Sequence, residues 1–180
     1  MAGSLAVPIV DTERLQLRGF RLDDFDAYVA IWADPEVVRF ITGKPSTRDE
    51  TWARLLRNVG HWALLGFGYW AIEEKASGML VGETGFAEMR RPIEPSIEGS
   101  PEIGWSLSSA VHGKGYATEA VTAAVRWGNV HFKGAPTVCM IDPNHSASIR
   151  VAEKCGYRPF QRTTFKGAPT VLFRRPAGGA

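Results

Sequence analysis

Six consecutive residues, His112-Gly113-Lys114-Gly115-Tyr116-Ala117, join two glycines and a lysine to the start of a run with helical periodicity. A helix begins with backbone N–H groups that have no intrahelical partner, and its dipole concentrates partial positive charge at the same place. Residues without side chains let an anion approach those groups, and Lys114 adds a full charge, so the segment suits a phosphate or diphosphate. A plain tight turn is the simpler reading of two glycines taken alone. A dinucleotide loop would want a third glycine early in a parallel sheet, whereas Ala117-Thr118 follows here. A P-loop would want a hydroxyl residue directly after the lysine, where Gly115 stands.

Such a loop must be held between a strand and a helix. Glu102 to Ser108 reads as the strand before it. From about Tyr116 to Phe132, the residues Ala117, Ala120, Val121, Ala124, Val125 and Gly128 form a small-residue stripe that lets a helix press closely onto a sheet. Thr137 to Asp142 is the next strand, and the intervening helix implies that it runs parallel to Glu102–Ser108. A helix through Ala147 to Cys155 should end at Gly156, in a left-handed conformation, with Tyr157 packed behind it. Arg158 to Phe165 and Thr170 to Arg174 complete the strands.

Upstream, Arg14 to Phe20 alternates like a half-buried strand, and Asp23 and Asp24 supply an N-cap for a helix bearing Phe25, Tyr28, Val29 and Trp32. Thr47 and Glu50 form a capping box ahead of Trp52, Leu55, Leu56, Val59, Trp62 and Ala63, which repeat at helical spacing. Tyr69 to Glu74 and Met79 to Met89 should pair as a hairpin about Ala76-Ser77-Gly78. Arg90 to Pro101, with three prolines and little apolar content, reads as a loop long enough to be a candidate for a functional role.

Glu102-Ile103-Gly104-Trp105-Ser106-Leu107 followed by Gly113-Lys114-Gly115-Tyr116-Ala117-Thr118-Glu119-Ala120 resembles the acetyl-CoA signature of GNAT acetyltransferases. Ser148 to Tyr157 is similar to that family's later helix, and Thr12-Glu13-Arg14-Leu15 with Leu17-Arg18 to its opening strand. Within the family the Rim-type branch, which includes enzymes acting on ribosomal-protein N-termini, is the most similar. Two positions depart from the pattern. His112 stands where arginine or glutamine is common, and His145 where the branch has asparagine, with Asn144 one residue earlier.

The resemblance implies an α/β (α+β) fold: a mixed, mostly antiparallel twisted sheet of about seven strands flanked by about four helices. Acetyl-CoA would lie in the splay between the fourth and fifth strands. Trp105, Ser106 and Leu107 would meet pantetheine, and His112 through Thr118 the diphosphate. Asn144, His145, Ser148, Arg150 and Lys154 would line the later helix's side. An amine would attack the thioester directly. Glu102 is the first candidate for the base that deprotonates it and Glu83 the second, against the simpler reading of solvated strand-end charges. Ser148 is the candidate proton donor to the thiolate, against a helix-capping role, with Tyr116 and Tyr157 behind it. The acceptor would be a small-molecule amine or a protein N-terminus. Glu83, Glu88, Glu94, Glu98 and Glu102 would favour a cationic one if they face one cleft; a solvated acidic edge is the alternative. The rival readings are a coenzyme A-binding sensor without turnover and a nucleotide-dependent oxidoreductase or kinase.

Composition bounds the rest. The 180 residues suffice for one core, with a single domain expected over residues 9–175 and flexible ends at 1–8 and 176–180. A net charge of +2 gives no field for nucleic acid or a membrane surface. Cys139 and Cys155 lie in apolar stretches and read as buried hydrophobes, which points to a reducing cytoplasm. The four histidines have no metal-ligand spacing. No signal peptide or bilayer-spanning run is visible. A monomer or a homodimer is expected.

Overall fold

The computed structural model describes residues 7–178. Most of the ends expected to be flexible therefore lie outside the described residues. Of those that are described, Pro8 accepts a bond from Trp70 Nε1 at 2.8 Å and Val7 packs against the core, so the chain is already pinned there.

Eight strands form one sheet: β1 (Val10–Asp11), β2 (Leu15–Arg18), β3 (Tyr69–Glu74), β4 (Leu80–Ala87), β5 (Glu102–Leu107), β6 (Thr137–Ile141), β7 (Arg158–Phe165) and β8 (Ala168–Arg175). Their spatial order is β1-β2-β3-β4-β5-β6-β8-β7. Every neighbouring pair is antiparallel except β5 with β6, as the helical crossover between them requires. The strand beyond the expected seven is β1, a two-residue edge piece too short to show periodicity.

The five helices are α1 (Phe25–Ala33), α2 (Pro35–Val38), α3 (Arg48–Leu65), α4 (Tyr116–His131) and α5 (Ser146–Lys154). Alternation in β3 divides the core: Ala71 joins Tyr28, Ile31, Trp32, Val38 and Leu55 of α1–α3, whereas Trp70 and Ile72 join Ala120, Val121 and Ala124 of α4. The small stripe of α4 does bring it close. A methyl on Gly128 would stand 2.7 Å from the Phe86 ring. α5 ends as expected, with Gly156 at φ 88° and Tyr157 N–H donating to Ala152 O at 3.0 Å.

Two local expectations are corrected. The capping box of α3 forms, Glu50 accepting from Thr47 N–H at 2.8 Å, but the buried face is Thr51, Leu55, Asn58 and Trp62. Trp52, Leu56 and Val59 remain 38%, 50% and 46% exposed. Asn58 has to reach a carboxylate in the sheet, and that requirement turns the helix by one position. Asp24 does not cap α1. Its carboxylate takes both terminal nitrogens of Arg18 at 2.8 Å and the Arg21 N–H at 2.6 Å, a buried pair that outcompetes the cap. The 90–101 loop is anchored, because Ile93 and Ile97 are buried with Val138 and Leu172, and Glu88 accepts from Arg90 and Gly99 N–H groups.

The β5·β6 pair is short. Glu102 faces Val138, Val138 N–H donates to Pro101 O at 3.1 Å, and no further pairing follows. β5 is meanwhile matched to β4 over six residues and β6 to β8 over five.

Close backbone packing beside this opening gives a direct test of the register. A methyl on Gly85 would lie 2.2 Å from Gly68 O and 2.5 Å from Tyr69 Cα, neither of which can move without breaking β3·β4. Gly85→Ala should lose at least about 2 kcal/mol in urea unfolding; an unchanged midpoint would refute that packing.

Candidate active site

Because β5 pairs with β4 on one side, alternation sends the peptide groups of Trp105 and Leu107 toward β6, where the ladder has ended. Leu107 O accepts from His112 Nε2 at 3.0 Å. The opening is a cleft of about 660 Å³, walled by Glu83, Glu102, Trp105 and Ser106 on the strands and by His145 and Ser148 on the α5 side. Of the tryptophans, Trp32 and Trp105 line it and Trp62 does not. Gly104 is needed here, since a Cβ would fall 1.9 Å from the Tyr69 hydroxyl.

The two candidate carboxylates have opposite environments. Glu102 is buried in a two-pronged ion pair, its oxygens 2.7 and 2.9 Å from Arg91 Nε and Nη2. It sits at the closed end of the opening, where β5 still touches β6. Glu83 is also buried, but its close partners are neutral: Tyr28 Oη donates at 2.6 Å and Asn58 Nδ2 at 2.8 Å, both to Oε2. Ser106 Oγ lies 3.5 Å from Oε1. Burial raises the Glu83 pKa, and the Tyr28 and Asn58 bonds and the nearby charges of Arg54 and Arg57 only partly offset it. Of the other glutamates, Glu88 caps the 90–101 loop, and Glu94 and Glu98 are exposed outside the cleft lining, so no acidic wall forms.

The glycine loop stands beyond the open end of β5. Gly113 and Gly115 have φ of 78° and 80°, the left-handed region that other residues adopt at a cost. The N–H groups of Gly113, Gly115, Tyr116, Ala117 and Thr118 donate to no described residue, while Lys114 N–H makes a long 3.4 Å bond to Val111 O. The loop is held from β2's approach. Arg14 donates to Lys114 O at 2.8 Å and to Glu119 Oε2 at 2.7 Å, and Glu119 Oε1 accepts from Thr12 Oγ1 and Arg14 N–H. Burial works to raise the Glu119 pKa, yet these bonds outweigh it and hold the pKa low. Tyr116 Oη donates to Glu74 at 2.6 Å and Tyr157 Oη pairs with Thr137 Oγ1, so both hydroxyls are engaged away from the cleft.

Gly115, Thr118 and Lys154 line a second, shallower depression together with Thr122 and Arg126. Leu107, His112, Gly113, Lys114, Tyr116, Ala117 and Asn144 line neither cavity. Asn144 is exposed, its N–H bonded to Asp142 Oδ1, and Arg150 is exposed on α5. His145 stacks on Phe40 at 4.7 Å, and burial lowers its pKa. Ser148 makes no capping bond; the N-cap position of α5 is His145. Cys139 and Cys155 are buried thiols with raised pKa values. Among the described residues no cluster of His, Cys, Asp or Glu is placed to hold a metal, and no helix is long and apolar enough to cross a membrane. Tyr28, Asn58 and Arg91 were not legible as site residues. They meet the carboxylates only through tertiary contacts, and nothing in their local pattern sets them apart.

A family model described as an acetyltransferase (GNAT) domain matches residues 14–158. The chain belongs to the GNAT family. An uncharacterized N-acetyltransferase of Bacillus licheniformis is 28% identical over 149 residues, covering 82% of this chain and 80% of that one. An acetyltransferase from Agrobacterium tumefaciens superposes with a TM-score of 0.81 at 26% identity over 94% of each chain. RimL, a ribosomal-protein acetyltransferase solved with coenzyme A, has a TM-score of 0.75 at 16% identity over 94% of this chain and 98% of its own, a likeness of fold. The GNAT fold and the acetyltransferase class implied by the Glu102–Leu107 and Gly113–Ala120 segments are thus met.

In this GNAT domain the Glu119 bonds should matter to stability with a definite pH dependence. A lowered carboxyl pKa contributes stability above the unfolded value, 4.5, and loses it as pH falls through the folded value. Glu119→Gln should lower the thermal midpoint at pH 7 by about 2–4 °C, with the deficit shrinking as wild-type Glu119 protonates below pH 4.5. A deficit that is constant down to the acid range would refute the assignment.

Proposed function

We propose that this enzyme transfers the acetyl group of acetyl-CoA directly to a primary amine in a ternary complex, with Glu83 as the base. The observation that carries this reading is the parting of β5 from β6 after one residue pair, beside a buried carboxyl group of raised pKa. The residues present suit acetyl-CoA: five N–H donors without partners among the described residues stand at the start of α4, and a Cβ at Gly113 would meet nothing within 4 Å.

Gly113 through Thr118 would bind the diphosphate through those amides, with Lys114 adding charge. Trp105 and Leu107 would pair with the pantetheine amides as β6 would have done. Lys154 and Arg150 would face the nucleotide end. Acetyl-CoA supplies an electrophilic thioester carbonyl when bound.

An alkylammonium is protonated at neutral pH and must give up a proton before its nitrogen can attack. Glu83 supports that role better than Glu102, because Arg91 occupies both oxygens of Glu102. Burial raises the proton affinity of Glu83 toward the amine's own, which a general base needs. The N–C bond forms as the C–S bond breaks, and Ser148, which lines the cleft, would pass a proton to the thiolate while taking one from solvent. The acceptor is a small amine or a protein N-terminus.

Thiol release from acetyl-CoA across an amine panel tests this reading. Glu83→Gln should cut kcat about 100-fold or more while acetyl-CoA still raises the thermal midpoint. Because burial lifts the Glu83 pKa, the acid limb of the wild-type kcat profile should lie above the ordinary carboxylate range. Glu102→Gln should lose less, and the reverse ranking would return the base to Glu102. Gly115→Glu should weaken acetyl-CoA binding about 100-fold or more by like-charge repulsion. Thermal protection with no thiol released by any amine would favour the sensor alternative.

A further inference from the structure

We infer, resting on the acetyltransfer reading above, that the acceptor is a small zwitterion: a primary amine with an oxyanion one or two carbons away, bound by Arg54 and Arg57. The cleft's charges point there. Arg39, Arg54, Arg57 and Lys166 line it, and none of them forms an ion pair with a described carboxylate. Arg91, the fifth cation, is consumed by Glu102. Against the four stand Glu83 and Asp142. A polycationic amine would therefore meet an excess of like charge, and an anionic group an excess of opposite charge.

Arg54 is prepared for a ligand. Its guanidinium lies 3.5 Å over the ring of buried Trp32, and its Nε is buried with no acceptor among the described residues. The contact with Trp32 holds the guanidinium in place, and its terminal nitrogens, in no ion pair with a described carboxylate, can take a two-oxygen partner. Arg57 follows one turn later on α3, on the same side. Neither arginine is needed to hold Glu83, whose bonds come from Tyr28 and Asn58.

The spacing follows from the same carboxyl group. Arg54 stacks on Trp32, whose ring packs against Tyr28, one donor to Glu83, and Arg57 directly precedes Asn58, the other donor, so an oxyanion bound by the two arginines in this cleft lies close to the base. An amine presented to Glu83 must then carry its anionic group nearby. A protein N-terminus offers a neutral peptide carbonyl at that distance and would leave the arginines unpartnered.

The test compares kcat/KM for the free L-amino acids with that for their carboxamides, and for phosphoethanolamine with that for ethanolamine. Spermidine, kanamycin and hexapeptides beginning with Ala, Ser or Met complete the panel. The best carboxylate or phosphate acceptor should exceed its neutral counterpart by about 10- to 100-fold, and which pair responds identifies the oxyanion. Arg57→Gln and Arg54→Gln should collapse that ratio to within about threefold through KM, with Arg57→Lys restoring part of it. The acetyl-CoA thermal shift identifies folded variants. Equal or faster transfer to carboxamides, peptides or polyamines overturns the inference and leaves the acetyltransfer reading standing. If no amine releases thiol, that reading falls, and calorimetry with the amino-acid panel on coenzyme A-loaded protein still decides the site: binding lost in Arg57→Gln supports it, and equal or absent binding overturns it.

Discussion

Two parallel strands joined at one end and parted at the other are the constraint on which this molecule depends. β5 and β6 each have a full antiparallel partner elsewhere, and they meet only where Glu102 faces Val138. The 90–101 loop seals that vertex, with Ile93 and Ile97 packed onto Val138 and Leu172 and Arg91 clasping Glu102. Beyond the vertex, strand backbone remains without a ladder partner, a state that water or an extended ligand must satisfy.

The same geometry divides labour between two acidic groups. Glu102 gains a guanidinium and becomes part of the frame, while Glu83, a few residues away across the β4·β5 ladder, keeps neutral donors and a raised proton affinity. Separation of paired carboxyl groups by environment is a recurrent way to give one of them acid–base work near neutral pH. Arginines of α3 line the same cleft as Glu83, and Arg14 with Glu119 ties the glycine loop down beyond the opposite end of β5.

Features set by neighbours in the chain were legible in the sequence. The glycine loop, the capping box at Thr47, the left-handed Gly156 and the parallel crossover all follow from local chemistry, and each is present. Features decided by distant partners were not. The face of α3 was misread because Asn58, a polar residue in a buried stripe, answers to Glu83 across 25 positions. Asp24 looked like a cap because Arg18 was not visibly its partner. The pairing of Glu102 with Arg91, which comes from the 90–101 loop, was likewise invisible, because nothing in the order of residues ties that arginine to the start of β5. Arginines scattered along α2's end and α3 carry no motif, and only the fold gathers them at one cleft.

A crystal structure of the acetyl-CoA complex addresses the parted strands most directly. The account predicts pantetheine lying between β5 and β6 alongside Trp105 and Leu107, with diphosphate oxygens within hydrogen-bond reach of the Gly113–Thr118 N–H groups. Coenzyme A bound elsewhere, or a β5·β6 ladder closed by protein alone, would contradict it.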